Sequence, residues 1–237
     1  MPRLPSARRA PWCLCLVALV AAWPAVAAAQ AAGTAVDLAM EDQFGTRHET
    51  ARHRGDVVVL VYAERHGAEA AIDLGRRLHL RFHPTAATAP PEAWATQPPV
   101  APAGWPAGTR VPDVHVVPVA CLPEVPKALR TVARSRFRKD SPHLSVWLDF
   151  DDDLRGSFGL VEGAPNTAVI DTAGLPRGVV PGVPDERRFE ELAQFIDGLR
   201  LGARPDLRVA TLPPPQAVPV PLPAAPPAAV VPTGGVR

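Results

Sequence analysis

The 237-residue chain predicts a three-layer α/β domain, on three observations. VVVLVY (57–62) is a continuous β-branched run, as expected of a strand covered on both faces. DERRFEELAQFIDGLR (185–200) sets Phe189, Leu192, Ile196 and Leu199 on one side of a helix. Between them the signals alternate in the order β-α-β-α-β-β-α, the pattern of a sheet with helices laid against it.

The first segment stands apart from that domain. Arg3, Arg8 and Arg9 form a positive n-region, an apolar stretch begins at Trp12, and the small-residue run AVAAAQA closes it. This is the pattern of a secretory signal peptide over residues 1–31, cut after about Ala29 or Ala31. The alternative is an uncleaved anchor, for which Trp12 to Ala29 is barely long enough. Pro24 and the alanine-rich exit favour cleavage, and Arg8-Arg9 sits in a poor twin-arginine context. The expectation is an exported protein, periplasmic or secreted, with no membrane span after cleavage. Cys13 and Cys15 leave with the signal peptide, so the mature chain keeps Cys121 alone. One thiol forms no internal disulfide, and stability must come from the core.

Within residues 32–202 the elements follow in order. After the strand at 57–62, residues 68–82 read as a helix of imperfect period through Ile72, Leu74, Leu78 and Phe82. VHVVPVAC (114–121) is a second strand, with Pro118 placing it near an edge or end. KALRTVARSRFRK (127–139) puts Leu129, Val132, Ala133 and Phe137 on one stripe. LSVWLDF (144–150) and TAVIDTAG (167–174) are two further strands, the latter closing in a turn. In the last helix Asp185 is placed to cap the N-terminus, and acidic residues crowd the first turns.

Thirty prolines exceed what one core of this size uses. Many fall in an insertion, 83–112, where Trp94 and Trp105 predict a loop that packs back at two points. A loop of that length marks either function or disorder. Ten more fall in a tail, 203–237, expected to be disordered or semi-extended, either a spacer or an unselected low-complexity end. A net charge of +1 gives no case for nucleic acid or an anionic membrane as a partner.

Three stretches resemble the thioredoxin superfamily, in its peroxiredoxin-like and cytochrome-maturation-like exported branch. MEDQFGTRHETARHRGDVVVLVYAE is similar to that family's opening hairpin, with an Asp-x-x-Gly turn, before the central strand. GAPNTAVIDTAG is similar to its Gly-x-Pro-Thr segment, and DFDDDLRGSFGLVEGAP to the stretch leading into it. The resemblance implies a thioredoxin-like α/β/α fold with a central mixed sheet. It also implies a cis Pro165 facing the redox site.

The departure from the family is at that site. Catalytic members place a cysteine at the helix N-terminus, which lowers its pKa for attack on a disulfide. Here His66 stands at the first cysteine position and Glu69 at the second, and the peroxidatic cysteine pattern is absent too. The expectation is therefore no catalytic residue, no cofactor and a frame without thiol redox chemistry. His66 and Glu69 share a helical face, which allows two metal ligands where stable sites use three or four, and Arg65 beside them opposes a cation. A solvated polar helix start is the plainer account, and no metal is expected. The groove between this turn and the Pro165 loop, where relatives hold extended chain, is the candidate contact for a protein partner. Its candidate residues are Arg65, His66, Glu69, Pro165 and Asn166. The rival is a thiol-dependent oxidoreductase using Cys121, a residue the sequence reads first as a small buried hydrophobe. Asp149-x-Asp151-x-Asp153 imitates a calcium loop but has Leu154 and Leu160 where Gly and Glu are required. The basic residues of 127–139, Arg130 and Arg134 among them, read as an ordinary exposed face opposite an apolar stripe.

Overall fold

The computed structural model describes residues 34–202. The predicted signal peptide and tail lie outside them. A hairpin of β1 (Ala39–Asp42) and β2 (Arg47–Glu49) leads to the central β3 (Val57–Ala63) and then α1 (Ala68–Phe82). There follow β4 (Val114–Cys121), α2 (Arg130–Asp140), β5 (Trp147–Asp149), α3 (Asp153–Phe158), β6 (Asn166–Ile170), β7 (Pro176–Pro181) and α4 (Glu186–Arg200). The seven strands form one mixed sheet in the order β2-β1-β5-β4-β3-β6-β7. β3, β4 and β5 run parallel, while β1, β6 and β7 join by antiparallel pairing. This is a thioredoxin-like α/β fold.

The topology sets the layers. β3-α1-β4 and β4-α2-β5 are successive crossovers stepping the same way across the sheet, so right-handedness puts α1 and α2 on one face. Val57, Val59 and Val61 meet α1 and α4 there, and Val58, Leu60 and Tyr62 meet the opposite cluster around Leu154 of α3. Every residue of β3 is buried, which explains its unbroken apolar run.

Polar side chains build the turns. Asp42 Oδ1 accepts from Phe44 N and Thr46 N, both at 2.9 Å, and Gly45 takes φ +84° to close the hairpin. Asp185 caps α4 as expected, accepting from Arg188 N at 2.8 Å.

Two elements depart from the sequence expectation. α3 occupies a stretch to which the sequence assigned no element; the Asp149 carboxylate accepts from Asp153 N and Leu154 N at 3.0 Å and so nucleates a short helix. β7 is bounded by prolines, yet it is an edge strand, where a missing N–H faces out of the sheet.

The stripe expected on α2 is rotated. Ala133 and Phe137 pack inward, but Leu129 is 52% and Val132 64% exposed. Arg130 and Arg134 take the inner side instead, their guanidinium groups lying 4.7 and 5.5 Å from the Phe150 ring centre. An arginine stem covers apolar surface while its head stacks on an aromatic ring, so these cations compete with valine for that face.

The insertion is folded onto the domain. Trp94 stacks on His79 of α1 with centroids 3.8 Å apart, and the Trp94 carbonyl bonds His79 Nε2 at 2.9 Å. The buried Arg200 donates to the carbonyls of Pro112 and Val100 at 2.9 and 2.7 Å, tying the end and the middle of the segment to α4. Trp105 makes its hydrogen bond within its own turn, to Thr109 O at 3.4 Å.

Candidate functional site

β3 delivers the chain to the junction. After Ala63, Glu64 stays extended, Arg65–Gly67 form a 3-10 turn, and α1 begins at Ala68. Arg65, His66 and Glu69 are exposed, and Gly67 is buried. Gly67 is required there: a Cβ on it would lie 2.7 Å from the Ala164 carbonyl carbon and 3.1 Å from Pro165 N. The turn and the loop therefore meet through backbone at Gly67. Sequence reading assigns Gly67 no role, yet it is the point of contact.

The loop is held from beneath. Gly163 adopts φ +71°, and the buried Asn166 accepts from Val161 N at 3.0 Å while donating to the carbonyls of Val161 and Ala164 at 3.1 Å. Pro165 is buried, and its carbonyl accepts from Gly182 N at 2.7 Å. No peptide bond among the described residues is cis, so the cis Pro165 that the resemblance implies is not found. The left-handed Gly163 and the Asn166 brace supply the sharp approach instead. Asn166 thus positions the loop and presents no side chain to solvent.

Beside this junction Arg155 gathers three acids. Arg155 bridges Glu64 at 2.7 Å, Asp152 at 2.9 Å and Glu162 at 3.5 Å, while Tyr62 donates to the Gly159 carbonyl at 2.7 Å. Burial raises the Tyr62 hydroxyl above the ordinary phenol range. Among the described residues no three His, Cys, Asp or Glu side chains converge as a cation site. His143 lies 3.9 Å from Glu92 of the insertion. Of the calcium-like acids, Asp149 caps α3 and Asp151 pairs with Arg130 at 2.9 Å.

Cys121 ends β4 on the sheet face opposite α1, with only 5% of its surface exposed. Burial, then the negative charges of Asp149, Asp152 and Glu64, push its thiol up to about 12. At neutral pH such a group holds its proton, which is the reverse of what a nucleophilic cysteine needs.

No family model and no curated protein sequence matches the chain. Among solved structures it is similar to the exposed lipoprotein thioredoxin Etrx1 of Streptococcus pneumoniae, at 14% identity and a TM-score of 0.45 over 68% of this chain and 98% of that one. It is similar to a secreted thiol-disulfide isomerase of Corynebacterium glutamicum, at 15% identity and a TM-score of 0.42 over 69% of this chain and 85% of that one. A third is the peroxidoxin BcpB of Mycobacterium tuberculosis, at 16% identity and a TM-score of 0.40 over 73% and 96% of the two chains. At these identities and scores no activity passes from those proteins to this chain.

Proposed function

We propose that the chain is an exported, redox-inactive thioredoxin-like module that binds a protein partner where the His66 turn meets the Pro165 loop. The observation that carries the reading is the chemistry of the junction. The helix N-terminus that could activate a thiol bears the exposed His66 and Glu69, while the one thiol among the described residues is buried elsewhere with its pKa pushed up to about 12. Because Gly67 and Ala164 are in contact, a partner chain lies across the outer rim, over His66, Val161 and Gly163, all of them exposed. Export rests on residues 1–31. Among the described residues no helix is long and apolar enough to cross a membrane.

The test has two parts. Disulfide reduction and peroxide consumption are measured for the chain and for a His66→Cys/Glu69→Cys double variant. A silent parent beside a variant that forms and exchanges a disulfide supports a thioredoxin frame without its thiols; activity in the parent that disappears with Cys121→Ala overturns it. A photocrosslinking residue at Val161 then reports on binding, with the same residue at Arg187 on α4 as control. Adducts at both positions, or at neither, refute the partner site.

A further inference from the structure

The face shared by α1 and α2 holds a cleft of about 930 Å³ that the Pro165 junction does not use. Its floor is β4, through Val116, Pro118 and Ala120. One wall is α1, presenting Ala71 and Gly75; the other is α2, presenting Ala133 and Phe137. Trp94 closes the end beside His79.

Three features mark this as unfilled apolar surface. Ile72, on the cleft side of α1, is 66% exposed. A Cβ added at Gly75 would meet nothing within 4 Å. α2 buries none of its residues fully, so it stands against the sheet without closing on α1. An apolar cleft of this size with a few polar groups at its edge is the usual form of a small-molecule site.

The rim carries a surplus of positive charge. Arg65 and Arg76 border the cleft from α1, and among the described residues neither has a carboxylate partner. Arg136 borders it from α2 with Asp140 at 3.6 Å. The other acid on the rim, Glu64, is held by Arg155 at 2.7 Å. We propose that the cleft binds an amphipathic anion of fatty-acid type, its apolar chain along β4 and its carboxylate on the rim arginines.

An extended polypeptide suits this cleft less well. β4 is paired on both sides, with β3 and β5, so its backbone offers no open ladder. Each residue of a bound peptide would bring an amide and a carbonyl against walls of Ala, Val, Pro and Phe, where they would find few partners. An acyl chain brings none. A cationic amphiphile would meet Arg65 and Arg76, and charge selects against it.

Isothermal titration of laurate into the full chain is the test, with decanoate and dodecyltrimethylammonium as companion probes. Laurate is expected to bind, decanoate to bind roughly tenfold more weakly for its two missing methylenes, and the cation not to bind. Gly75→Phe places a ring in the open cleft and should abolish laurate binding while the unfolding midpoint is retained. Arg65→Glu/Arg76→Glu should weaken it at least tenfold. No binding of laurate, equal binding of the cation, or full binding by Gly75→Phe overturns the proposal. So does a synthetic peptide of residues 209–232 that binds where laurate does not, which assigns the cleft to the chain's own tail. None of these outcomes depends on the crosslinking at Val161, so the two readings fail separately.

Discussion

Two glycines, one capping α1 and one inside it, should respond to alanine with opposite signs. Gly67, the residue before α1, has φ −97°, which any L-residue adopts, so its substitution carries no backbone strain. Its cost is steric, because the new methyl would stand 2.7 Å from Ala164 C and 2.8 Å from Ala164 O. Overpacking of this kind costs about 1–3 kcal/mol, and replacing glycine by alanine at an N-cap adds roughly 0.5–1 kcal/mol. Reduced freedom of the unfolded chain offsets roughly 0.4–1 kcal/mol. Gly67→Ala should therefore destabilise by about 1–3 kcal/mol. Gly75 lies inside α1 with open space beyond it, so alanine there gains roughly 0.5–1 kcal/mol from helix propensity alone. Urea unfolding separates the two. With an m-value of about 2 kcal/mol/M, the midpoint should fall by roughly 0.5–1.5 M for Gly67→Ala and rise by roughly 0.25–0.5 M for Gly75→Ala. If the two variants shift the midpoint alike, the His66 turn does not touch the Pro165 loop and the site geometry derived above is wrong.

Acid should weaken the fold through His79, which is 5% exposed and whose pKa is lowered to about 4 by burial and then by the neighbouring His83. Its folded pKa lies below the unfolded value of 6.5, so the unfolded chain binds the extra proton; stability is full above about pH 6.5 and is lost as pH falls towards 4. The shift corresponds to about 3 kcal/mol, and His79→Phe should reduce the loss between about pH 6.5 and 4 without abolishing it, because burial also lowers His53 to about 4. Native Cys121 should react with iodoacetamide at pH 8 at least about a thousandfold more slowly than in the denatured chain, given its burial and raised pKa. Asn166→Ala should cost about 2 kcal/mol, because it strands the Val161 amide and two carbonyls, and hydrogen exchange at Val161 should speed up with it.

What was legible in the sequence followed from burial on two faces or from strong periodicity. β3 reads directly because both of its faces are covered, and α4 because Phe189, Leu192, Ile196 and Leu199 all face the core. The hairpin turn was legible because an aspartate that binds two backbone amides leaves a local signature in Asp42 and Gly45. α3 was not, since six residues are too few to show a period and the cap comes from Asp149 rather than from an adjacent residue. α2 misled because arginines over Phe150 took positions that hydrophobicity assigns to Leu129 and Val132. At the junction, sequence found the turn and the loop but not Gly67 or the roles of Asn166 and Arg155, which arise only from contacts between residues far apart in the chain.

The junction also separates what the frame needs from what chemistry would need. The contact that joins the turn to the loop uses Gly67 and the backbone of Ala164 and Pro165, and the loop is braced by Asn166 and by the Pro165 carbonyl on Gly182. No side chain at 66 or 69 enters it, and both residues stand in solvent. A site whose geometry is fixed by backbone can lose its thiols without losing its shape, so the fold by itself does not reveal whether catalysis is present. It follows that His66→Ala should change stability by less than about 0.5 kcal/mol, as exposed substitutions do, while Glu69→Ala, which removes the one acid of the first turn of α1, should cost no more than about 0.3–1 kcal/mol. Chemical denaturation of the two variants checks this. A loss above about 1 kcal/mol in either would mean that the side chain holds the turn in place, and the residue would then have a structural reason to be there. Stability left unchanged, with crosslinking at Val161 lost, would leave partner contact as the role of His66 and Glu69.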